Sequence, residues 1–305
     1  YAYPNTDTNV LEDASCVIPK GKTVAFIGSS GAGKTTMADI ILGLLAPQRG
    51  KILVDNIDVF KNLTMWHHQI GYIPQVIYLS DDTIRNNIAF GIHEDQIDEE
   101  AVKTALKKAQ LAEFVDTLPD GLDTIVGDRG VRLSGGQRQR ISIARAIAIH
   151  PEFLVCDEPT SALDVSVQAQ VLNLMQNLQR EVGLTYLFIS HNLSVVHHIS
   201  DRVGVMYLGR LVELADKRTL FNEPRHPYTR MLLDAIPDLS QTHRRRTPIS
   251  GEVPNPLSPP TGCPFHPRCP LANERCRKEM PLRQMIDSHG SFAEVACHAA
   301  EEGRL

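Results

Sequence analysis

The sequence contains no apolar run of 18 residues, so no segment has the length of a membrane-spanning helix. It does not begin with a basic segment followed by an apolar one, and we therefore expect no signal peptide. It also lacks a strong charge of either sign, because 31 basic residues face 36 acidic ones and leave a net charge of −5. This balance argues against a general nucleic-acid-binding surface. The conspicuous basic run, Arg244, Arg245 and Arg246, lies in polar sequence typical of a solvated linker.

Cysteine is scarce over most of the chain, and four of the six cysteines fall within the last 43 residues. This distribution excludes a disulfide framework for the whole chain and indicates a local structure near the carboxyl end. Proline is also unevenly placed, with eight residues between Thr247 and Pro270. Such a stretch excludes regular helix and central strand. We place a domain boundary near residue 240, which divides a main domain (1–240) from a Cys/Pro-rich extension (241–305).

Before that boundary, apolar strand-like runs alternate with amphipathic helical runs. Strands are predicted at 23–27, 51–55, 153–156 and 184–189, and helices at 133–149 and 167–182. Asp98 is a predicted cap for a helix that runs through 101–109, and Gly183 is the predicted stop of the helix at 167–182. This alternation predicts an α/β fold with a mostly parallel, doubly wound sheet. A hairpin is predicted at 203–214, with Gly209 in its turn, and a short helix at 226–237.

A glycine-rich turn joins the strand at 23–27 to the helical run that follows it. Its residues fit the pattern G-x-x-x-x-G-K-[ST] and are Gly28, Ser29, Ser30, Gly31, Ala32, Gly33, Lys34 and Thr35. In this context the pattern predicts a phosphate-binding loop, whose backbone N–H groups and helix N-terminus converge on phosphate oxygens. Lys34 supplies a point charge for the outer phosphates, and the Thr35 hydroxyl is a natural ligand for Mg²⁺. The alternative is a turn that merely connects a strand to a helix.

Further motifs follow this loop in a fixed order. They are Gln75, the run Leu133, Ser134, Gly135, Gly136 and Gln137, the pair Asp157 and Glu158, the run Ser161, Ala162, Leu163 and Asp164, and His191. Together with the phosphate loop they resemble the ATP-binding-cassette (ABC) family of ATPases over residues 1 to about 240. The resemblance implies a P-loop NTPase fold with a helical signature subdomain at about 76–150.

The resemblance also implies roles in the hydrolysis of ATP. Phosphoryl transfer to water depends on charge neutralisation and on a positioned nucleophile. Lys34 and a Mg²⁺ ion held by Thr35 would neutralise charge, and Asp157 would act on the metal through water. Glu158 is placed to orient the attacking water or to accept its proton. A surface carboxylate after a strand is the alternative for Glu158.

Two polar residues complete the catalytic set. The resemblance assigns Gln75 to sensing both the metal and the water, and it assigns His191 to a contact with the terminal phosphate. A histidine buried with its hydrogen bonds satisfied is the alternative for His191. Intact Glu158 and His191 argue against a nucleotide-binding regulator without turnover.

The signature run implies a second subunit. Ser134 begins a helix whose first residues, Gly135 and Gly136, expose backbone donors to an anion. In the family this anion is the γ-phosphate bound on the opposite subunit, so that two subunits enclose two nucleotides. Gln137 and Asp164 belong to the same predicted contacts. The sequence leaves open whether the dimer is homomeric or heteromeric.

The adenine contact is predicted near the start of the chain. Tyr3 lies where the family places an aromatic ring that stacks on adenine, and Thr36 follows the phosphate loop in the first helical turn. An exposed tyrosine near a chain end is the alternative interpretation for Tyr3.

Two classes of transporter share the resemblance. Residues 1–133 are similar to exporter or lipid-flippase cassettes, notably at 83–91 and 126–130. Residues 151–305 are similar to dipeptide and oligopeptide importer ATPases, notably at 203–210, 226–230 and 262–269. A recombinant gene, a deliberate chimera or a misjoined assembly could produce this mixture. The carboxy-terminal part favours peptide import, and the alternative is the ATPase of an exporter or of a lipid-linked glycan flippase.

The clustered cysteines have the composition of a tetrahedral sulfur site. They are Cys263, Cys269, Cys276 and Cys297. Four thiolates on short loops suit zinc or an iron–sulfur cluster, and their spacing does not separate the two. The resemblance to peptide importers favours a [4Fe–4S] cluster, with Zn²⁺ as the alternative. Free thiols in a flexible tail are the remaining possibility.

The predicted partners follow from the importer resemblance. They are a second ABC ATPase subunit, integral-membrane permease subunits and a substrate-binding protein, with no nucleic acid. We expect a peripheral location on the cytoplasmic face of the inner (plasma) membrane. A rival from another class is an ABC ATPase that acts on nucleic acid, which usually carries coiled-coil insertions, tandem cassettes or a basic surface.

Overall fold

The computed structural model describes residues 1–4, 6, 8–235, 251–256, 258–286 and 292–305 and groups them into two compact units. The first unit contains Tyr1–Ile18, Thr23–Lys51 and Ile189–Leu305, and the second contains Pro19–Lys22 and Ile52–Phe188. The predicted basic run at 244–246 and the predicted boundary near 240 lie outside the described residues. Within the described ranges, no helix has the length and apolar character needed to cross a membrane.

The strands are β1 (Thr23–Ile27), β2 (Leu53–Val54), β3 (Ile57–Asp58), β4 (Ile70–Ile73), β5 (Phe153–Asp157), β6 (Thr185–Ile189), β7 (Arg202–Tyr207), β8 (Arg210–Asp216), β9 (Gln284–Met285) and β10 (Ala293–Val295). The helices are α1 (Lys34–Ile41), α2 (Leu63–Gln69), α3 (Ile84–Ile88), α4 (Glu99–Lys108), α5 (Ala112–Asp116), α6 (Gly135–Ala148), α7 (Val165–Val182), α8 (Leu193–Ile199), α9 (Lys217–Asn222), α10 (Pro227–Asp234), α11 (Glu274–Lys278) and α12 (His298–Glu301).

In the first unit, β1 pairs in parallel with β7, and all five residues of β1 are buried. The predicted hairpin is confirmed, because β7 and β8 pair antiparallel on either side of Leu208 and Gly209. Strand β10 from the extension adds antiparallel to β8, and β9 adds antiparallel to β10. Three of these pairings are antiparallel, so this unit departs from the mostly parallel sheet that the sequence predicts. The extension contributes strands to a sheet instead of forming loops alone.

In the second unit, β4 pairs in parallel with β5, and β5 lies next to β6 in the sheet. Strands β5 and β6 consist almost entirely of buried residues, as expected for apolar runs of this length. The predicted helix stop at Gly183 is confirmed, since this residue caps α7 with the left-handed φ of 75° that glycine tolerates. Strand β2 is shorter than the predicted strand at 51–55.

The termini of three helices in the second unit follow from local capping. Asp98 accepts from the backbone N–H groups of Glu100 and Ala101 at the start of α4, as predicted. Asp164 caps α7 by accepting from the backbone N–H of Val167 at 2.9 Å. Ser134 caps α6 in a reciprocal capping box with Gln137. Polar residues of the predicted motifs therefore also fix where these helices begin.

Candidate functional site

The phosphate loop of the first unit is held by close backbone packing. A Cβ atom at Gly28 would clash with the carbonyl oxygen of Met206. Gly33 has a φ of 94°, and a Cβ there would lie 2.8 Å from Cδ2 of Leu11. Both positions therefore require glycine, which explains why the loop carries it at the start and just before Lys34.

Lys34 lies inside the curve of this loop. Its side chain is largely withdrawn from solvent, with the residue 8% exposed, and Nζ donates to the carbonyl oxygens of Gly28 at 2.9 Å and Ser29 at 3.1 Å. The ammonium group is thus held at the loop by backbone acceptors. Thr35 is exposed at the start of α1, where its hydroxyl is accessible to a metal ion. The arrangement suits a bound polyphosphate with its cation.

Tyr3 lies beside the start of the same helix. Its hydroxyl hydrogen-bonds to the hydroxyl of Thr36 at 3.0 Å, and its ring makes an edge contact with Tyr1 at 5.2 Å between centroids. The residue remains 37% exposed. An aromatic ring anchored next to the phosphate loop is in a position to stack on a base. His191, also predicted, is exposed between β6 and α8 in the first unit.

The second unit brings the two predicted water-handling residues together. Nε2 of Gln75 donates to Oε2 of Glu158 at 3.0 Å, although 83 residues separate them in sequence. Asp157 is 3% exposed at the end of β5. Glu158 has a φ of 46°, an unusual value for a residue with a side chain. Its carboxylate therefore leaves the strand on a strained backbone, as often occurs where a site fixes a reactive group.

The signature run packs against the loop that contains Asp164. A Cβ atom at Gly136 would lie 2.9 Å from Cγ1 of Val167, and one at Gly135 would lie 3.4 Å from Cδ2 of Leu163. Small residues here allow α6 to begin directly beside the start of α7. Ser134 itself is exposed at the N-terminus of α6. The start of α6 thus lies at the surface of the second unit, with Gly135 and Gly136 half-buried.

Sequence reasoning missed Arg145, in the body of α6. Its Nε donates to the carbonyl oxygen of Asn87 at 2.7 Å, its Nη1 donates to that of Tyr78 at 2.8 Å, and its guanidinium lies 4.7 Å from the centroid of Phe90. Burial lowers the pKa of this arginine. Arg145 therefore ties the signature helix to the segment that follows Gln75. The apolar spacing of α6 gave no signal for this role.

The four clustered cysteines lie in the first unit. Cys263, Cys276 and Cys297 are buried, and Cys269 is half-buried. The backbone N–H of Cys263 donates to the carbonyl oxygen of Cys276 at 2.8 Å, so the segments that carry these two cysteines lie against each other.

The thiols influence one another electrostatically. Burial raises the pKa of Cys263 to about 12 and that of Cys269 to about 11, and the neighbouring cysteines contribute in the same direction. Across the described part of the chain, however, no group of three or more His, Cys, Asp or Glu side chains could hold a metal ion. The arrangement therefore brings the four cysteines near one another without supporting the predicted cluster or a zinc site.

Comparison with known proteins gives the family. A family model described as "ABC transporter" matches residues 11–161, and one described as "Oligopeptide/dipeptide transporter, C-terminal region" matches residues 212–276. A probable peptide ABC transporter ATP-binding protein of Sinorhizobium fredii is 43% identical over 300 residues, covering 94% of this chain and 82% of the relative. The oligopeptide transport ATP-binding protein AppF of Bacillus subtilis is 41% identical over 306 residues, covering 96% of this chain and 90% of the relative.

A solved structure supports the same assignment. A bacterial Atm1-family ABC exporter with ATP bound matches with a TM-score of 0.65 and 36% identity over 72% of this chain. The chain spans only 38% of that exporter's length. An exporter and peptide transport proteins are therefore both among the matches. The peptide transport relatives align along almost the whole chain, including its exporter-like first 133 residues. The chain belongs to the ATP-binding proteins of ABC transporters and is an ATPase.

Proposed function

We propose that this chain hydrolyses ATP to power the import of peptides across a membrane. The observation that carries the proposal is the match of its carboxy-terminal region, residues 212–276, to that of oligopeptide and dipeptide transporters. Relatives named as peptide transport ATP-binding proteins align beyond this region, over more than nine-tenths of the chain. The proposed partners are a second ATPase subunit, permease subunits and a substrate-binding protein. The proposed location is peripheral, on the cytoplasmic face of the inner membrane.

We propose the following roles in ATP binding. The residues of the phosphate loop, 28–35, hold the phosphates together with Thr36, and Tyr3 stacks on adenine. Bound Mg²⁺ supplies positive charge that neutralises the phosphate oxygens during transfer. Thr35, Gln75 and Asp157 are its proposed protein contacts. The exposed Thr35 hydroxyl and the carboxylate at the end of β5 support these assignments.

The proposed catalytic step centres on Glu158. Its carboxylate orients a water molecule and accepts its proton, while Gln75, hydrogen-bonded to the same carboxylate, holds it in position. Lys34 stabilises charge on the outer phosphates, and His191 contacts the terminal phosphate. Ser134, Gly135, Gly136, Gln137 and Asp164 are proposed to complete the site of the opposite subunit.

The Glu158→Gln variant tests this assignment. A positioned general base contributes roughly 10²–10⁴-fold to rate, so we expect turnover to fall by at least about 100-fold while ATP binding persists. Glu152→Gln is the matched control, because Glu152 lies just before the same strand and forms an exposed ion pair with Lys20. Undiminished hydrolysis by Glu158→Gln, or an equal loss in the control, would contradict the role of Glu158.

The transport class is tested by its membrane partners. The tagged chain is recovered from membranes of its source under mild conditions, and its partners are identified by mass spectrometry. Two permease subunits with a peptide-binding protein would support import. The likeness to an ATP-bound exporter favours a second candidate, the ATPase of an exporter. Recovery of an exporter-type membrane domain would favour that candidate instead.

The proposed metal site of the extension has a separate test. Its basis is the resemblance of residues 262–269 to peptide importers, together with the match of residues 212–276 to the carboxy-terminal region of oligopeptide and dipeptide transporters. Elemental analysis of anaerobically purified protein would give about four iron atoms per chain for a [4Fe–4S] cluster, or one zinc. Protein with neither metal would refute the site and leave four free thiols.

A further inference from the structure

A tyrosine outside the predicted site is bonded to the phosphate loop. The backbone N–H of Ser29 donates to the hydroxyl of Tyr228 at 2.9 Å, within the first unit. Tyr228 is 1% exposed and lies in the first turn of α10, 199 residues along the chain from Ser29. The carbonyl oxygen of Ser29 also accepts a hydrogen bond from Nζ of Lys34. The hydroxyl of Tyr228 therefore restrains the same loop residue that restrains the proposed phosphate-binding lysine.

The residues around Tyr228 fix the position of its ring. Nδ1 of His226 accepts from the backbone N–H of Tyr228 at 3.0 Å, and Pro227 occupies the first position of the helix. The preceding turn is held by Glu213, whose carboxylate accepts from the backbone N–H groups of Arg225 at 2.8 Å and His226 at 2.9 Å. The sequence His-Pro-Tyr thus builds a rigid helix start that directs one hydroxyl to the loop.

The ring of Tyr228 is packed against the cysteine-bearing extension. Its centroid lies 5.5 Å from that of Phe265, a residue between Cys263 and Cys269, and 4.6 Å from that of Tyr207. Phe265 is itself 1% exposed. Another residue of the extension, Pro256, lies near the loop, with its Cγ 3.9 Å from the position that a Cβ atom would take at Gly31. The extension therefore lies close to the phosphate loop in two ways. Phe265 packs against Tyr228, which is bonded to the loop, and Pro256 lies near the loop itself.

We infer that Tyr228 is a positioning residue for nucleotide binding and that Phe265 holds it in place. Its hydroxyl fixes the Ser29 peptide, so that the loop and Lys34 keep the geometry that phosphates require. Through this pair, packing in the extension influences the affinity of a loop that lies far away in sequence. The inference rests on the proposed nucleotide site. It assigns to the extension a role in ATP binding that does not depend on a metal.

The test is a titration of the full-length chain with the non-hydrolysable ATP analogue AMP-PNP and Mg²⁺, together with steady-state hydrolysis. Tyr228→Phe removes one hydroxyl and keeps the ring. Loss of one hydrogen bond corresponds to an affinity about two- to tenfold weaker. We expect KM for ATP to rise by a similar factor while kcat changes by less than about twofold, because Glu158 and Gln75 are untouched.

Tyr207→Phe is the matched control. Tyr207 belongs to the same aromatic cluster, and its buried hydroxyl lies near the Arg268 side chain and makes no hydrogen bond to the phosphate loop among the described residues. We expect its removal to leave AMP-PNP affinity unchanged. A purely structural role for Tyr228 predicts instead that both variants lose similar stability with no specific effect on KM.

A double-mutant cycle tests the part assigned to Phe265. Phe265→Leu should weaken AMP-PNP binding in the wild-type background and have little further effect in Tyr228→Phe, because both act through the same hydroxyl. Equal effects in the two backgrounds would overturn the link. Tyr228→Phe that binds as tightly as the wild type would overturn the inference while leaving the proposed site intact. A wild-type chain that binds no AMP-PNP would instead remove the proposed site itself.

Discussion

His226 illustrates how one buried residue can set the pH response of its unit. Its ring is completely enclosed, and burial lowers its pKa from 6.5 to about 3. The neutral ring is also what the structure requires, since Nδ1 accepts a hydrogen bond from the backbone of Tyr228. The unfolded chain binds a proton at this position below about pH 6.5, whereas the folded chain does not. Stability from the neutral ring is therefore fully present above pH 6.5 and is lost as the pH falls towards 3.

We expect the free energy of unfolding of the wild type to fall by up to about 1.4 kcal/mol per pH unit from this residue alone in that window. The variant His226→Asn keeps a side-chain acceptor for the helix cap but cannot titrate. Urea unfolding of both proteins between pH 7.5 and 4.5 would measure the difference. Burial raises the pKa of Glu213, which acts in the opposite direction but is present in both proteins. Parallel pH profiles would contradict the role given to His226.

For single residues, the sequence indicated which side chains could take part in the site, but it did not indicate which residues they contact. The pattern around Lys34 and the pair Asp157 and Glu158 could be read directly, because each motif is local. The bond between Gln75 and Glu158 joins residues 83 positions apart, and the bond between Ser29 and Tyr228 joins residues 199 apart. Such pairs depend on the fold as a whole. The sequence showed His-Pro-Tyr as a family feature without indicating what its tyrosine binds.

Among the elements, α6 shows most clearly how a signature motif also serves folding. Ser134 accepts from the backbone N–H of Gln137 at 3.2 Å, and Oε1 of Gln137 accepts from the backbone N–H of Ser134 at 2.8 Å. This capping box satisfies two backbone donors at the helix start. The same residues are proposed to present donors to a phosphate. The motif is therefore constrained by helix formation before any nucleotide binds.

We expect Ser134→Ala to lower the free energy of unfolding by about 1 kcal/mol, the usual cost of removing a serine cap. Chemical denaturation without nucleotide would measure it, apart from any effect on activity. Ser166→Ala is the control, because Ser166 lies exposed in the first turn of α7, where Asp164 already provides the cap. That change should stay within about 0.5 kcal/mol. Equal losses of unfolding free energy in the two variants would contradict a stabilising role for the Ser134 cap.

The predicted ends of helices agree with the structure where a cap within a few residues determines them. Helix α4 begins after Asp98, and α7 ends at Gly183, because caps and left-handed glycines act within a few residues. The sheet of the first unit was predicted less well. Strand β10 comes from the extension, far from its partner β8 in sequence, and an apolar run does not reveal whether its neighbour is parallel or antiparallel. Strand pairing over such separations is outside the reach of periodicity.

For the whole molecule, the division into units could not be read from composition. The shift to proline and cysteine suggested a boundary near residue 240, which lies outside the described residues. The structure instead forms each unit from separate stretches, with Pro19–Lys22 and Ile52–Phe188 in one and the remaining segments in the other. Residues that follow the phosphate loop and residues of the extension thus belong to the same unit. This grouping is what allows Tyr228 and Phe265 to act on a loop near the start of the chain.

Each chain is proposed to supply only half of a nucleotide site, so nucleotide binding should control dimer formation. Ser134 is exposed on the second unit and the first residues of α6 are half-buried, and we propose that this helix start completes the nucleotide site of another subunit. If a second copy can serve, Glu158→Gln with ATP and Mg²⁺ should form a dimer, because slow turnover traps the ATP-bound state. Light scattering after size exclusion should then give about twice the monomer mass of 33.8 kDa, and the monomer mass with ADP.

Ser134→Arg in the Glu158→Gln background is the matched variant for this experiment. The long side chain would cover the helix start that the partner's phosphate approaches, while leaving the chain's own phosphate loop unchanged. We expect this double variant to bind ATP and to stay monomeric. Dimers that persist in it would contradict the contact assigned to Ser134. Monomers in Glu158→Gln with ATP would contradict self-pairing, and the second subunit would then have to be a different ATPase chain.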